Sequence, residues 1–181
     1  MRNMAAVPVN FFGDAVTDET VRKYFPDKKV ITRKDRTYLA YNLKEAGNKH
    51  EKAKVFLVKQ LNEWYGDDGS AVTLGTIYNA TGDTLTYFKH HDLVGHVQGP
   101  QYPIQIQNGQ WAAFLHVGSH ATVLYSGRNN EGAEAAWLHA WYNKTDEPTR
   151  RYVSVCKRKR LAVKSPGAAV LELTNQRSTL I

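Results

Sequence analysis

Apolar positions change period once along this chain, from a helical spacing of about 3.6 residues before Gly66 to a spacing of two after Ala71. Residues 14–25 read as a short helix. Thr17 caps it, Asp18 and Glu19 suit its positive end, and Pro26 stops it. Thr32 stands three residues before Asp35, a weaker form of the capping box, and Leu39, Leu43 and Ala46 follow at helical spacing up to Gly47. Asn48 with Glu51 opens a third helix, whose stripe of Leu57, Val58, Leu61, Trp64 and Tyr65 lies opposite Lys52, Lys59, Gln60 and Asn62. An ordinary core-facing stripe predicts a helix laid on a sheet rather than on a membrane surface.

Beyond the linker Gly66-Asp67-Asp68-Gly69-Ser70, strands are expected at 71–78, 84–90, 102–106, 110–117, 121–126, 134–142, 151–156 and 168–173. Asn79-Ala80-Thr81-Gly82-Asp83 reads as a tight hairpin turn, Asn108-Gly109 as the strongest two-residue hairpin signal, and Gly127 to Gly132 as a third closure. Regular short strands after a helical third predict the α+β class: an antiparallel β-sandwich with two or three N-terminal helices packed against it. One domain over 1–181 follows from a length of 181 residues with 42% hydrophobic content, divided into a helical part at 10–66 and a β-rich part at 71–173.

Charge adds a bias toward anionic partners, since 24 Lys and Arg stand against 17 Asp and Glu, a formal charge of +7. No long apolar run opens the chain or reaches the length of a membrane-spanning helix, so the expected location is cytoplasmic or nuclear. The lone Cys156 forms no intramolecular disulfide, in keeping with a reducing compartment, and reads as a small half-buried strand residue. The sequons at Asn79 and Asn143 read as chance turn sequences.

Ile77-Tyr78-Asn79-Ala80-Thr81-Gly82-Asp83-Thr84, His91-Asp92, Gly95-His96-Val97, Gly99-Pro100, Tyr102-Pro103, Asn108-Gly109-Gln110-Trp111 and Phe114-Leu115-His116-Val117 together resemble the jasmonate-induced protein family of plants. Gly13-Asp14-Ala15-Val16-Thr17, Arg33-Lys34-Asp35 and Leu124-Tyr125-Ser126-Gly127-Arg128-Asn129 extend the resemblance over roughly residues 10 to 142. It implies a stress- or hormone-induced protein of the plant cell and brings no catalytic residue set. In the order of its turns and strands the chain is also similar to the sandwiches of the actinoporin and aegerolysin groups, which bind membrane lipids. Their headgroup tyrosines find no position-by-position match, so that likeness bears on fold.

The candidate chemistry lies between residues 90 and 160. His90, His91, His96, His116, His120 and His139 invite a metal, but no HExxH or paired cysteines accompany them, and strand alternation sends His90 and His91 to opposite faces. No metal and no cofactor are expected. An enzyme would use His96 or His116 as general base with Asp92, although no complete catalytic motif is present. A binding module is preferred, with His91, Tyr102, Trp111 and Tyr125 lining a shallow pocket for a small molecule, a glycan or a lipid headgroup. Lys157, Arg158, Lys159 and Arg160 form a basic run suited to nucleic acid or another anion, or to keeping an edge strand soluble. Edge strands and aromatics are compatible with a homodimer.

Overall fold

The computed structural model describes residues 10–64, 71–99, 101–129, 131–143, 150–157 and 170–176, the last two as backbone strands. The fold is α+β, an antiparallel sheet packed against helices. Helix α1 spans Asp18–Tyr24 behind a capping box in which the Thr17 and Thr20 hydroxyls each accept the other residue's N–H. Helix α2 spans Arg33–Asn42, and at its start the Thr32 N–H and hydroxyl both donate to the Asp35 carboxylate at 2.8 Å. Gly47, at φ 66°, turns the chain into α3, Lys49–Trp64. Buried Ala53 and Leu57 of α3, with Leu39 and Ala40 of α2, form a core with Val72, Leu74 and Tyr78 of one strand and Trp111, Ala113 and Leu115 of another.

The sheet is organised around one long strand. Strands β1 (Phe11–Phe12), β2 (Val72–Tyr78), β3 (Leu85–Gln98), β4 (Gln105–Ile106), β5 (Trp111–Arg128), β6 (Glu134–Tyr142), β7 (Arg150–Lys157) and β8 (Val170–Gln176) follow in chain order. One side of β5 carries β1 at 111–112 and then β3 from 115 to 126; the other carries β2 over 111–117 and then β6 over 120–128. Strand β8 extends the β2 edge and β7 the β6 edge.

At Gly118 β5 turns a corner. Ala112, Phe114 and His116 before it, and Ala121, Val123 and Tyr125 after it, are all buried on the inner side, so the inward set passes from even to odd numbers across residues 117–120. The sheet thus bends over itself. A second core, with Ile77, Leu85, Phe114, Trp137 and Trp141, fills the fold between the two halves.

Several expectations change here. The segments at 110–117 and 121–126 are one strand, the strand at 84–90 runs on to Gln98, and most of 102–106 is irregular. The 79–83 segment is tight, with Gly82 at φ 83°, but the strands it joins do not pair with each other: β2 lies between β5 and β8 while β3 pairs with β4 and β5. That turn carries the chain across layers. The 127–132 closure is a true hairpin between β5 and β6.

Side-chain amides hold the loops that make this crossing possible. The Asn79 amide donates to the carbonyls of Asp83 and Ile106, and its oxygen accepts from the Thr81 N–H and hydroxyl. Asn108 ties three segments together, donating to the Val16 and Arg36 carbonyls and accepting from the Gly82 N–H at 2.9 Å. Asn108→Ala leaves these buried groups without partners and is expected to cost about 2 kcal/mol, read as a lower urea midpoint at unchanged slope.

Candidate functional site

Strand β3 departs from simple alternation at Phe88. Tyr87 faces Tyr125 and Lys89 faces Leu124, so Phe88 is an extra residue with no partner of its own in the ladder. Beyond this bulge the inward set passes from Leu85 and Tyr87 to His90 and Asp92, while Lys89 and His91 are exposed. A second register shift at Leu93, followed by Gly95 at φ 105°, lets β3 follow the corner of β5.

The bulge brings His90 and Asp92 over the inner side of β5. The Asp92 carboxylate lies 3.5 Å from Nε2 of His116 and 3.7 Å from Nε2 of His90, and accepts from the Tyr102 hydroxyl at 3.4 Å. Nδ1 of His90 is 2.5 Å from the Tyr87 hydroxyl. Tyr102 stacks near Tyr87 and packs against His90 and Phe114, with centroid separations of 6.4, 5.1 and 5.1 Å. Trp141 closes the cluster edge-on to His116 at 5.3 Å.

The electrostatics of the cluster follow from burial. Burial raises the Tyr102 hydroxyl well above the ordinary tyrosine range, with Asp92 adding to the effect, so it stays a neutral donor. Burial lowers His116 more than the neighbouring Asp92 raises it, so its imidazole is neutral at pH 7. Among the described residues Asp92 pairs with no lysine or arginine, and 15% of its side chain reaches solvent. Leu93 and Val94, which follow it in β3, are exposed, as is Ile104, whose carbonyl accepts from the Tyr87 N–H.

Of the residues expected from sequence, Asp92, His116, Tyr102 and Tyr125 come together here. Tyr125 lies on the same inner face, edge-on to Tyr87 at 6.2 Å. His91 does not join them and is exposed; His96 is exposed too and bonds Gln98, reaching the cluster only through its electrostatic effect on His116. Trp111 sits on the opposite face under the helices, where its indole donates to the Lys44 carbonyl and stacks on His50 at 3.8 Å. Lys157 ends β7, and Arg158, Lys159 and Arg160 lie outside the described residues. Tyr87, His90 and Trp141 complete the cluster; the sequence offers them only among its many strand aromatics and histidines and does not single them out as site residues. Trp141 was legible as the inward neighbour of Trp137, whereas His90 required the bulge.

Deeper in the same layer, the hydroxyl of Tyr125, the indole nitrogens of Trp137 and Trp141 and both ring nitrogens of His139 are buried without a partner among the described residues. Among the described residues no group of three His, Cys, Asp or Glu side chains converges as a metal site. No described helix is long and apolar enough to cross a membrane.

Comparison with known proteins agrees with this architecture. A family model described as Nakanori-like protein matches residues 12–159. The 23 kDa jasmonate-induced protein of Hordeum vulgare is 39% identical over 138 residues, which are 72% of this chain and 64% of that protein. A jasmonate-induced protein homolog of Atriplex canescens is 33% identical over 87 residues, 43% of this chain and 47% of that protein. The matched part thus spans less than two thirds of either relative's length. The crystal structure of the lipid binding protein Nakanori aligns with a TM-score of 0.69 at 24% identity, over 82% of this chain and 75% of that one, a likeness of fold. With a family model matching most of its length and jasmonate-induced proteins among its relatives, the chain belongs to the Nakanori-like protein family.

Proposed function

We propose that this chain is a lipid-headgroup-binding module, holding a choline-type ammonium group at Asp92 against the half-buried rings of His90 and Tyr87, with the enclosed Tyr102 hydroxyl bonded to that carboxylate from behind. One observation carries this reading: a carboxylate that keeps 15% of its side chain in solvent, with no lysine or arginine partner among the described residues, sits amid aromatic rings, and the next two residues of its strand, Leu93 and Val94, are exposed and apolar. A carboxylate beside aromatic rings suits a quaternary ammonium, and an apolar rim suits the acyl boundary of a bilayer. Nakanori, which shares the fold, is a lipid binding protein, and this supports the same class of ligand. Induction by a plant stress hormone is the role that the relatives' names support.

Acid–base catalysis by His116 and Asp92 is the second reading, and it rests on their 3.5 Å approach. The His116 ring is fully enclosed, so a substrate has no path to the nitrogen that would act as base; this favours binding.

Co-sedimentation with phosphatidylcholine or sphingomyelin vesicles, against phosphatidylglycerol vesicles, tests the proposal. Binding to the choline lipids is expected, weakened about tenfold by Asp92→Asn and strongly reduced by Leu93→Asp with Val94→Asp. Failure to sediment with choline lipids, or undiminished binding by the Asp92 variant, overturns it.

A further inference from the structure

On the outer face of the β3–β5–β6 layer, at the end of the β5–β6 hairpin, lies a groove of about 820 Å³ that shares no residue with the Asp92 cluster. That size falls within the range of small-molecule sites. The register explains its lining. Thr86, Ser126 and Ala136 form one row across three strands, and Arg128 and Glu134 face each other in the next row of β5 and β6. The small Gly127, Ala135 and Ala136 leave the floor open. The bulge that turns His90 inward also sets Phe88 on the groove, with 68% of its surface exposed.

Charge narrows the ligand. Arg128 and Glu134 are a cross-strand pair of opposite sign. Asp83, at the groove's other end, is paired with Arg33 at 3.6 Å and Arg36 at 3.3 Å. The groove therefore presents neither a net anion nor a net cation. It presents an aromatic face, the hydroxyls of Thr84, Thr86 and Ser126, and the fork and carboxylate of Arg128 and Glu134. An uncharged, polyhydroxylated ring matches that set: its C–H face packs on Phe88 while its hydroxyls meet groups that donate and accept, the Ser126 hydroxyl as an acceptor because it donates to the Thr86 carbonyl.

We infer that this groove is a carbohydrate site, for a neutral sugar of one or two rings. The inference goes beyond the headgroup reading and uses different residues. Titration of the ¹⁵N-labelled protein with cellobiose, maltose and chitobiose, to about 20 mM each, tests it by amide shifts. At least one disaccharide is expected to move the amides of Ser126, Gly127 and Ala135 with a dissociation constant on the order of 1 mM. Phe88→Ala is expected to weaken it about tenfold and Phe88→Trp to restore it. Phe88 is exposed, so both variants should keep the fold, and the same spectra report whether they do. Asp92→Asn, which disables the proposed headgroup site, should leave sugar binding unchanged. No shifts with any of the three sugars, shifts confined to residues outside the groove, or shifts untouched by Phe88→Ala overturn the inference.

Discussion

Replacing Gly118 by alanine is expected to destabilise the protein by about 4 kcal/mol, a large part of the roughly 5–15 kcal/mol that holds a domain of this size together. The residue sits at φ 118° in the corner of β5, a conformation that side-chain-bearing residues rarely adopt. A Cβ there would overlap the carbonyl oxygen of Val94 and the backbone of Gly95 on β3. Gly95 is placed reciprocally, at φ 105°, with its own Cβ direction running into the Val117 carbonyl. The two glycines let the backbones of β3 and β5 touch where both strands bend. Neither can yield without breaking the ladder between Val94–His120 and His96–Val117. Gly132 supplies the control, because at φ 79° it has open space around it. Gly132→Ala carries the conformational strain alone and is expected to cost about 1 kcal/mol. Urea denaturation of the two variants separates steric overlap from strain. Equal losses would show that close approach at the corner contributes nothing.

Those glycines also show where the sequence stops being legible. The helices could be read because their signals are local: the Thr17 and Thr32 caps, Pro26 and Gly47 each act within a few residues, and all three helices stand near where these signals put them. The α+β class followed from the change of period. The long strand β5 was divided in two because Gly118-Ser119 looks like a break, whereas its partners on both sides carry it through the corner. The hairpin expected at 79–83 failed for the complementary reason. Turn residues specify a reversal of the chain but not which strand the returning segment pairs with, and here β5 outcompetes β2 as the partner of β3.

The site suffered from the same limit. Strict alternation groups His91 with Tyr87, and one unpaired residue at Phe88 replaces His91 by His90. Trp111 was placed with Tyr102 and Tyr125 because all three are large aromatics in strand-like sequence. Burial decided otherwise: the helices need an apolar partner on the first half of β5, and Trp111, Ala113 and Leu115 supply it.

Acid should weaken this protein through His139. Its ring is fully buried on the strand face it shares with Trp137 and Trp141, neither ring nitrogen has a partner among the described residues, and burial lowers its pKa from 6.5 to about 4. The folded state therefore refuses a proton that the unfolded chain accepts. Stability from this residue is complete above pH 6.5 and is lost as pH falls toward 4. At about 1.4 kcal/mol per pH unit, that interval is worth about 3 kcal/mol. His116 is lowered by burial as well, so it adds to the loss in the same direction. His139→Leu removes an ionisable group and two unpartnered polar atoms in one step, and burying an apolar side chain there avoids their desolvation. The variant is expected to be more stable than the parent by about 1 kcal/mol at pH 7 and to lose markedly less between pH 6.5 and 4, read from urea midpoints across that range. An unchanged pH slope would mean that the folded state admits the proton at His139. A variant destabilised at pH 7 would mean that the packing of the imidazole, or a hydrogen bond to its nitrogens inside the fold, outweighs the cost of burying them.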